Sequence, residues 1–375
     1  MKLAIVTSHP IQYNAPFFRE LNEHPSIEPH VFFTQTSETV RFDPDFNREV
    51  KWDVNLTDGY RSEQHEGDTS SGKSILIQRL KELAPDAILM YGWNVPGHLS
   101  VMRAMHGTTP IWFRGDSHLL DPLPFWKRLA RKLLLTWIYR HVDHCFTVGT
   151  HNEDYFLWCG IRPRQLSRAP HAIDHVWFEQ DHEKRTQQAQ EWRKKLDIPL
   201  EAKVILFAGK LEPKKEPELL IRAWQNLMDE NTHLVIAGSG ILEDTLKLEF
   251  GHIKHLHFVG FQNQSAMPIL YRMADVFCLP SKGPGETWGL AVNEALSCGV
   301  PCVVSTMVGC ANDILTSPAL GSPFQSGDQT ALSEALRQQL SSPPPDNEAL
   351  QAYRSQFSFS EFTQQILTQW KAIHP

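Results

Sequence analysis

At 375 residues, the chain is too long for one ordinary hydrophobic core and fits two domains of about 150–200 residues. Its 36 Lys and Arg against 43 Asp and Glu leave a net charge of −7, which excludes a general attraction to nucleic acid or anionic lipid and confines any basic site to a local patch. The six cysteines, Cys145, Cys159, Cys278, Cys298, Cys302 and Cys310, sit in apolar settings without a C-x-x-C pair, so they read as buried free thiols and not as metal ligands.

Lys2 to Thr7 is an apolar run that predicts a buried strand and is too short for a signal peptide. No run of about 18 apolar residues occurs anywhere, so no spanning helix is expected and the protein is expected in the cytoplasm. The loop His9-Pro10-Ile11-Gln12-Tyr13-Asn14 leads to a helix from Phe17 to about Asn22, with Pro16 where a first helical turn accepts proline. Strand-to-helix turns of open α/β sheets lie at the carboxyl edge, where ligands bind. His9, Gln12, Tyr13 and Asn14 are therefore candidates for the acceptor side of a cleft; the alternative is a self-satisfied polar turn.

A second strand is predicted near Pro29 to Phe33, and residues 34–73 are polar and irregular. Within them Phe42-Asp43-Pro44-Asp45-Phe46 has D-x-D spacing, which serves a metal only where a strand end aims both acids at one cation. Proline interrupts it, so a surface turn is expected there. Ala87 to Tyr91 predicts a strand, followed by a loop carrying Trp93, a further acceptor-side candidate, and a helix from His98. Pro110 to Phe113 predicts the next strand, which ends in Arg114-Gly115-Asp116-Ser117-His118. An Asp or His at a strand's carboxyl end is a stronger candidate for function than one on a helix face.

Residues 122–142 contain no acid. Lys127, Arg128, Arg131 and Lys132 share one helical face, and Trp126, Leu129, Leu133 and Trp137 take the other. Two readings stand: peripheral contact of residues 125–140 with anionic lipid, or a solvated helix packed on the sheet by its apolar face, which is preferred. After a strand at Val142 to Val148 the pattern changes at Ala169-Pro170-His171-Ala172-Ile173-Asp174. Domains of 1–175 and 176–357 are expected, with a tail, 358–375, of helical spacing.

In the second half four buried strands each end in a glycine loop. Lys203 to Ala208 leads to Gly209-Lys210 and on to Lys214-Lys215; Leu234 to Ala237 leads to Gly238-Ser239-Gly240; His257 to Val259 leads to Gly260-Phe261; Val276 to Leu279 leads to Pro280-Ser281 and on to Gly289. Amides of such loops open on one sheet edge, and lysines directly after a buried strand make an anion site there. A helical period restarts at Leu290 and stops at Gly299-Val300-Pro301. The amides around Thr287, Trp288, Gly289 and Leu290 suit a phosphate, which the helix dipole favours by about 0.3–1 kcal/mol. Glu286 and Glu294 flank that turn. An acid would repel a diphosphate, so hydroxyl groups are their expected partners.

The stretch Cys278 to Ser305 resembles the retaining glycosyltransferases of family 4 (glycosyl transferases group 1). Glu286 and Glu294 match the family's Glu-x7-Glu motif, and Pro280-Ser281, Gly289-Leu290, Glu294-Ala295 and Gly299-x-Pro301 match around it. The resemblance covers most of residues 200–325 and the first half loosely. It implies the GT-B fold: an α/β protein of two doubly wound, Rossmann-like parallel-sheet domains facing a cleft, the first for the acceptor and the second for a nucleotide sugar, with the C-terminal helix crossing back to the first. It places Glu286 by the donor sugar hydroxyls and Glu294 on the ribose. Lys210 and Lys215, after Gly209, would meet the diphosphate, although Arg is commoner at the first position and Gly at that of Glu216. Gly238 would line the donor site and Phe261 or its backbone the base. The family's catalytic-site His corresponds by counting to Asp116, with His118 two residues beyond, so the role is open between them; of the interdomain crossing only Asp174 carries over.

The function implied is transfer of a sugar, with retained anomeric configuration, from a nucleotide sugar to a hydroxyl on a carbohydrate or lipid-linked acceptor. A UDP-sugar is the first choice of donor and a GDP-sugar the second. No cofactor, no metal and no nucleic-acid partner are implied, and bacterial polysaccharide or glycolipid assembly is the expected setting. A nucleotide-sugar epimerase of the same fold is the alternative, and a non-catalytic nucleotide-sugar-binding protein ranks last.

Overall fold

The computed structural model describes residues 1–35, 41–43 and 48–374, so Pro44, Asp45 and Phe46 of the D-x-D candidate lie outside the described residues. The chain divides into two compact units: one takes the described residues of 1–39, 55–174 and 357–375, the other those of 40–54 and 175–356.

The strands of the first half are β1 (Lys2–Thr7), β2 (Glu28–Phe33), β3 (Arg41–Asp43), β4 (Arg48–Val50), β5 (Arg61–Gln64), β6 (Ala87–Tyr91), β7 (Ile111–Arg114), β8 (His144–Thr147) and β9 (Leu166–Arg168). Apart from the antiparallel pair β3-β4, they form one parallel sheet in the order β5-β2-β1-β6-β7-β8-β9. Leu3, Ala4, Ile5 and Val6 are all fully buried, as a central parallel strand covered on both faces requires. Successive side chains go to opposite cores: Ala4 and Val6 join Ile88, Met90 and Phe113 on one face, while Leu3 and Ile5 join Leu89, Trp112 and Phe146 on the other. The second face is closed by the terminal helix Phe359–Ile373, whose Phe362 stacks on Phe17 at 4.6 Å and meets Phe146 edge-on.

Several strands escape the sequence pattern, β5 and β9 among them. β5 lies in the segment read as irregular; it is a polar edge strand with one bonded neighbour, so it shows no apolar alternation. β9, at the other edge, has three residues, too few for a period.

The basic helix packs on the core as preferred, but only over its last turns. The helix Phe125–Tyr139 packs through Leu135, Ile138 and Tyr139, whereas Trp126, Leu129 and Leu133, expected on the sheet, are exposed. Only Trp137 of the expected apolar face rests against the core.

The second unit holds β10 (Lys203–Ala208), β11 (Thr232–Ala237), β12 (Leu256–Gly260), β13 (Val276–Leu279), β14 (Cys302–Ser305) and β15 (Gly321–Phe324), all parallel, in the order β12-β11-β10-β13-β14-β15. Strand order reverses at β1/β6 in the first sheet and at β10/β13 in the second. At such switch points connections depart in opposite directions and leave a crevice at the carboxyl edge. No helix among the described residues is long and apolar enough to cross a membrane.

Candidate active site

The crevice of the second unit is built by the loops after β10 and β13. Lys282 N–H donates to the Lys214 carbonyl at 2.8 Å, and the Lys282 ammonium donates to the Glu216 carboxylate at 2.7 Å. The Lys215 ammonium pairs with the Glu286 carboxylate, their side chains only 17% and 8% exposed. Gly209 N–H donates to the Ala237 carbonyl, Leu211 N–H to that of Ser239 and Gly238 N–H to that of Gly260, so the loops after β10, β11 and β12 run in register. Gly238 is obligatory there: with φ +149° it comes so close that a Cβ would lie 1.8 Å from the Gly209 oxygen. Lys210 and Phe261, the former next to Gly209, are half-buried on these loops.

Gly289 caps the helix Leu290–Ser297 with φ +98°, and a Cβ there would stand 2.6 Å from Val308 Cγ1. Among the described residues no side chain caps this helix; Val292 N–H turns back to the Gly289 carbonyl at 2.9 Å, and half-buried Thr287 and Leu290 border the turn. Trp288 differs from its neighbours: its indole is buried and donates to Asn293 Oδ1 at 2.8 Å, which leaves only its main chain for a ligand. Glu294, one turn inside, is 3% exposed. Tyr271 Oη donates to its Oε2 at 2.7 Å and Gln264 Nε2 to its Oε1 at 3.2 Å. Two neutral donors thus hold a buried carboxylate, a burial that would otherwise be costly.

In the first unit the candidates follow β1, β6 and β7, adjacent strands around that sheet's switch point. His9, Gln12, Tyr13 and Asn14 are half-buried. Asn14 occupies the N-cap of the helix Ala15–Glu23, yet its side chain makes no capping bond, so the turn does not use its best capping group. Trp93 packs against the core by one side. Asp116 is half-buried, and His118 is buried. Leu120 N–H donates to His118 Nδ1 at 3.3 Å, and His118 Nε2 is buried with no hydrogen-bond partner among the described residues. An acceptor role at Nδ1 leaves the neutral ring's proton on Nε2, as a donor.

Residues 188–356 match the family model described as Glycosyl transferases group 1. The match lies within the second unit. An uncharacterized glycosyltransferase of Methanocaldococcus jannaschii is 37% identical over 122 residues, 32% of this chain and 31% of that one. A phosphatidyl-myo-inositol mannosyltransferase of Mycobacterium leprae is 31% identical over 141 residues, 37% of each chain. The chain thus matches about a third of the length of these relatives. Among solved structures, Anabaena HepE in complex with UDP and glucose superposes with a TM-score of 0.71 at 15% identity, covering 99% of both chains. At that identity the likeness establishes the fold, which is GT-B.

Several residues that order this site carry no motif signal. Tyr271 and Gln264 lie on a helical turn and helix between β12 and β13, where the sequence shows only amphipathic spacing. Asn152 accepts from Val148 N–H and donates to the Ser117 carbonyl at 2.8 Å, tying the loop of Asp116 and His118 to the end of β8. Arg114, buried, donates to the carbonyls of Ala169 and Pro170 and lies 4.1 Å over the Phe362 ring, clasping the chain just before His171. His171 is held well below the usual imidazole range by burial and by Arg114, against the pull of Asp116. Among the described residues no cluster of three or more His, Cys, Asp or Glu could hold a metal ion. Cys298 and Cys302 are free, with burial pushing the Cys298 thiol up to about 12.

Proposed function

We propose that this protein is a retaining glycosyltransferase that moves a sugar from a nucleotide-sugar donor to a hydroxyl of a carbohydrate or lipid-linked acceptor. The observation that carries the reading is the convergence, at one switch point, of the Lys215–Glu286 pair, an uncapped helix N-terminus and a buried carboxylate held by Tyr271 and Gln264. A UDP-sugar is the first donor to test, in keeping with the UDP bound by Anabaena HepE. Polysaccharide or glycolipid assembly is the proposed setting.

In this reading Glu294 takes the ribose hydroxyls and Glu286 those of the transferred sugar. As the glycosidic bond to phosphate lengthens, negative charge grows on the leaving diphosphate. Lys210, Lys215 and the amides at Thr287 to Leu290, with Gly209 and Gly238 admitting the backbone close to the ligand, stabilise that charge where it appears. Pairing with Glu286 keeps Lys215 in place before the donor arrives. Retention without an opposing nucleophile is assigned to same-face attack, with a diphosphate oxygen taking the acceptor proton. His118 is assigned the family's His role in preference to Asp116, supported by its buried Nε2, which has no hydrogen-bond partner among the described residues. His9, Gln12, Tyr13, Asn14 and Trp93 are assigned to acceptor selection.

The test is a screen of UDP- and GDP-sugars by thermal shift, followed by product analysis with hydroxyl acceptors. A transfer product of retained configuration is expected. Consumption of donor with no transfer product would refute the reading and favour an epimerase.

A further inference from the structure

The helix Phe125–Tyr139 begins outside the body of the first unit. Every residue from Pro122 to Ala130 is exposed, and only from Leu135 onward does the helix enter the core. Its free part carries Phe125 at 81% exposure, Trp126 at 67% and Leu133 at 66%, with Leu123, Leu129 and Leu134 also exposed. Six large apolar side chains on and just before this uncovered stretch of helix are far more than the scattered exposure of an ordinary surface, and Phe125, Trp126, Leu129 and Leu133 share one face of it as a ridge.

The ridge is bordered by charge of one sign. Lys127 lies over the Trp126 ring at 5.2 Å. Arg128 and Lys132 lean back over Trp158, and Arg131 over Tyr155. The cations therefore flank the ridge and leave its crest apolar. No acid occurs in residues 122–142, although the chain as a whole is negative.

We infer that this ridge is a docking surface for an anionic lipid bilayer, with Phe125, Trp126, Leu129 and Leu133 entering the headgroup–acyl boundary and Lys127, Arg128, Arg131 and Lys132 at the phosphates. The pattern fits: an interfacial helix buries such an exposed apolar face while its basic residues stay at headgroup level. Aromatic side chains at the tip favour that depth. A second copy of the chain is a poorer occupant. Two ridges packed about a twofold axis would set these cations against their own copies, with no acid on the helix to offset them. This inference stands apart from the sugar-transfer reading, because its test uses no donor and no acceptor.

The experiment is flotation of the full chain with vesicles of phosphatidylcholine alone or mixed with phosphatidylglycerol, at low and high salt. Wild type is expected to float with the anionic vesicles and to lose most of that binding at high salt. F125S/W126S should partition roughly 30-fold or more weakly, and K127Q/R128Q roughly 5-fold more weakly per residue at low salt. Both variants should keep the wild-type melting temperature, since these side chains lie outside the core. Protein left unbound by anionic vesicles at low salt overturns the inference, as does equal flotation of F125S/W126S and wild type. Sedimentation velocity without lipid supplies the remaining arm: a wild-type dimer abolished by F125S/W126S would assign the ridge to a second copy and overturn the bilayer.

Discussion

Lys215 and Glu286 allow the structural and chemical parts of the donor site to be separated. Their pair is nearly closed to solvent, so Lys215→Met removes the cation and leaves Glu286 buried without its counter-charge. Breaking a buried pair on one side costs about 3–5 kcal/mol. In a domain of this size each kcal/mol corresponds to about 2–4 °C, so K215M should melt about 6–20 °C below wild type. K215M/E286Q removes both charges at once, and most of the lost stability should return, because a neutral pair of similar volume is often as stable as the ion pair. Activity should not return with it. If both groups act on the donor, the double variant lacks a charged contact to the leaving diphosphate and one to the sugar, and kcat/KM stays at least about 10- to 150-fold down. Differential scanning fluorimetry and a donor-turnover assay on the same three proteins decide the matter. A double variant as fast as wild type would refute the assignment of both residues to the donor. A double variant that melts as low as K215M would refute the claim that the unpaired Glu286 is the source of the instability.

Tyr271→Phe removes one donor to buried Glu294 without changing the packing, and should cost about 1.5–3 kcal/mol of stability. Calorimetric titration with UDP should show weaker binding than wild type, and unchanged affinity would separate Glu294 from the ribose. The chain should also lose stability as pH falls through the histidine range. Burial holds His144 down at about 4, and burial, aided by His255 and His257, holds His233 at about 4; His98 is lowered as well. Each binds its proton more readily when unfolded; for His144 and His233 the contribution is complete above about pH 6.5 and is lost progressively down to about pH 4, amounting to about 3 kcal/mol for His144. Denaturant melts between pH 7 and pH 4 should show this slope and a shallower one in H144N; identical slopes would refute the assignment.

What the sequence discloses about this fold follows from where each constraint is held. The strands around both switch points are buried on two faces, so Leu3 to Val6 and Val204 to Phe207 appear as unbroken apolar runs. Gly238 and Gly289 mark places where backbone meets backbone or core, and that requirement falls on a single residue. Edge strands β5 and β9 are bonded on one side only and show no pattern of this kind. The supports of the site are equally silent. Tyr271 sits on a helix where an aromatic would pack in any case, and Asn152 sits in a helix's first turn; their partners, Glu294 and Ser117, are 23 and 35 positions away.

The basic helix marks the limit of periodicity as a guide. Leu129, Leu133, Ile138 and Trp137 recur at spacings that would give one apolar stripe, yet Leu129 and Leu133 face solvent while Ile138 is buried. A stripe records which face is apolar; what covers it depends on how far along its axis the helix reaches the sheet. Here contact begins near Leu135, so the same period serves two environments, a protein core at one end and an uncovered surface at the other. The second environment has to be inferred from chemistry that periodicity does not measure. Clustered cations with no acid, at the end of the helix that the core leaves uncovered, make an anionic surface the complementary neighbour.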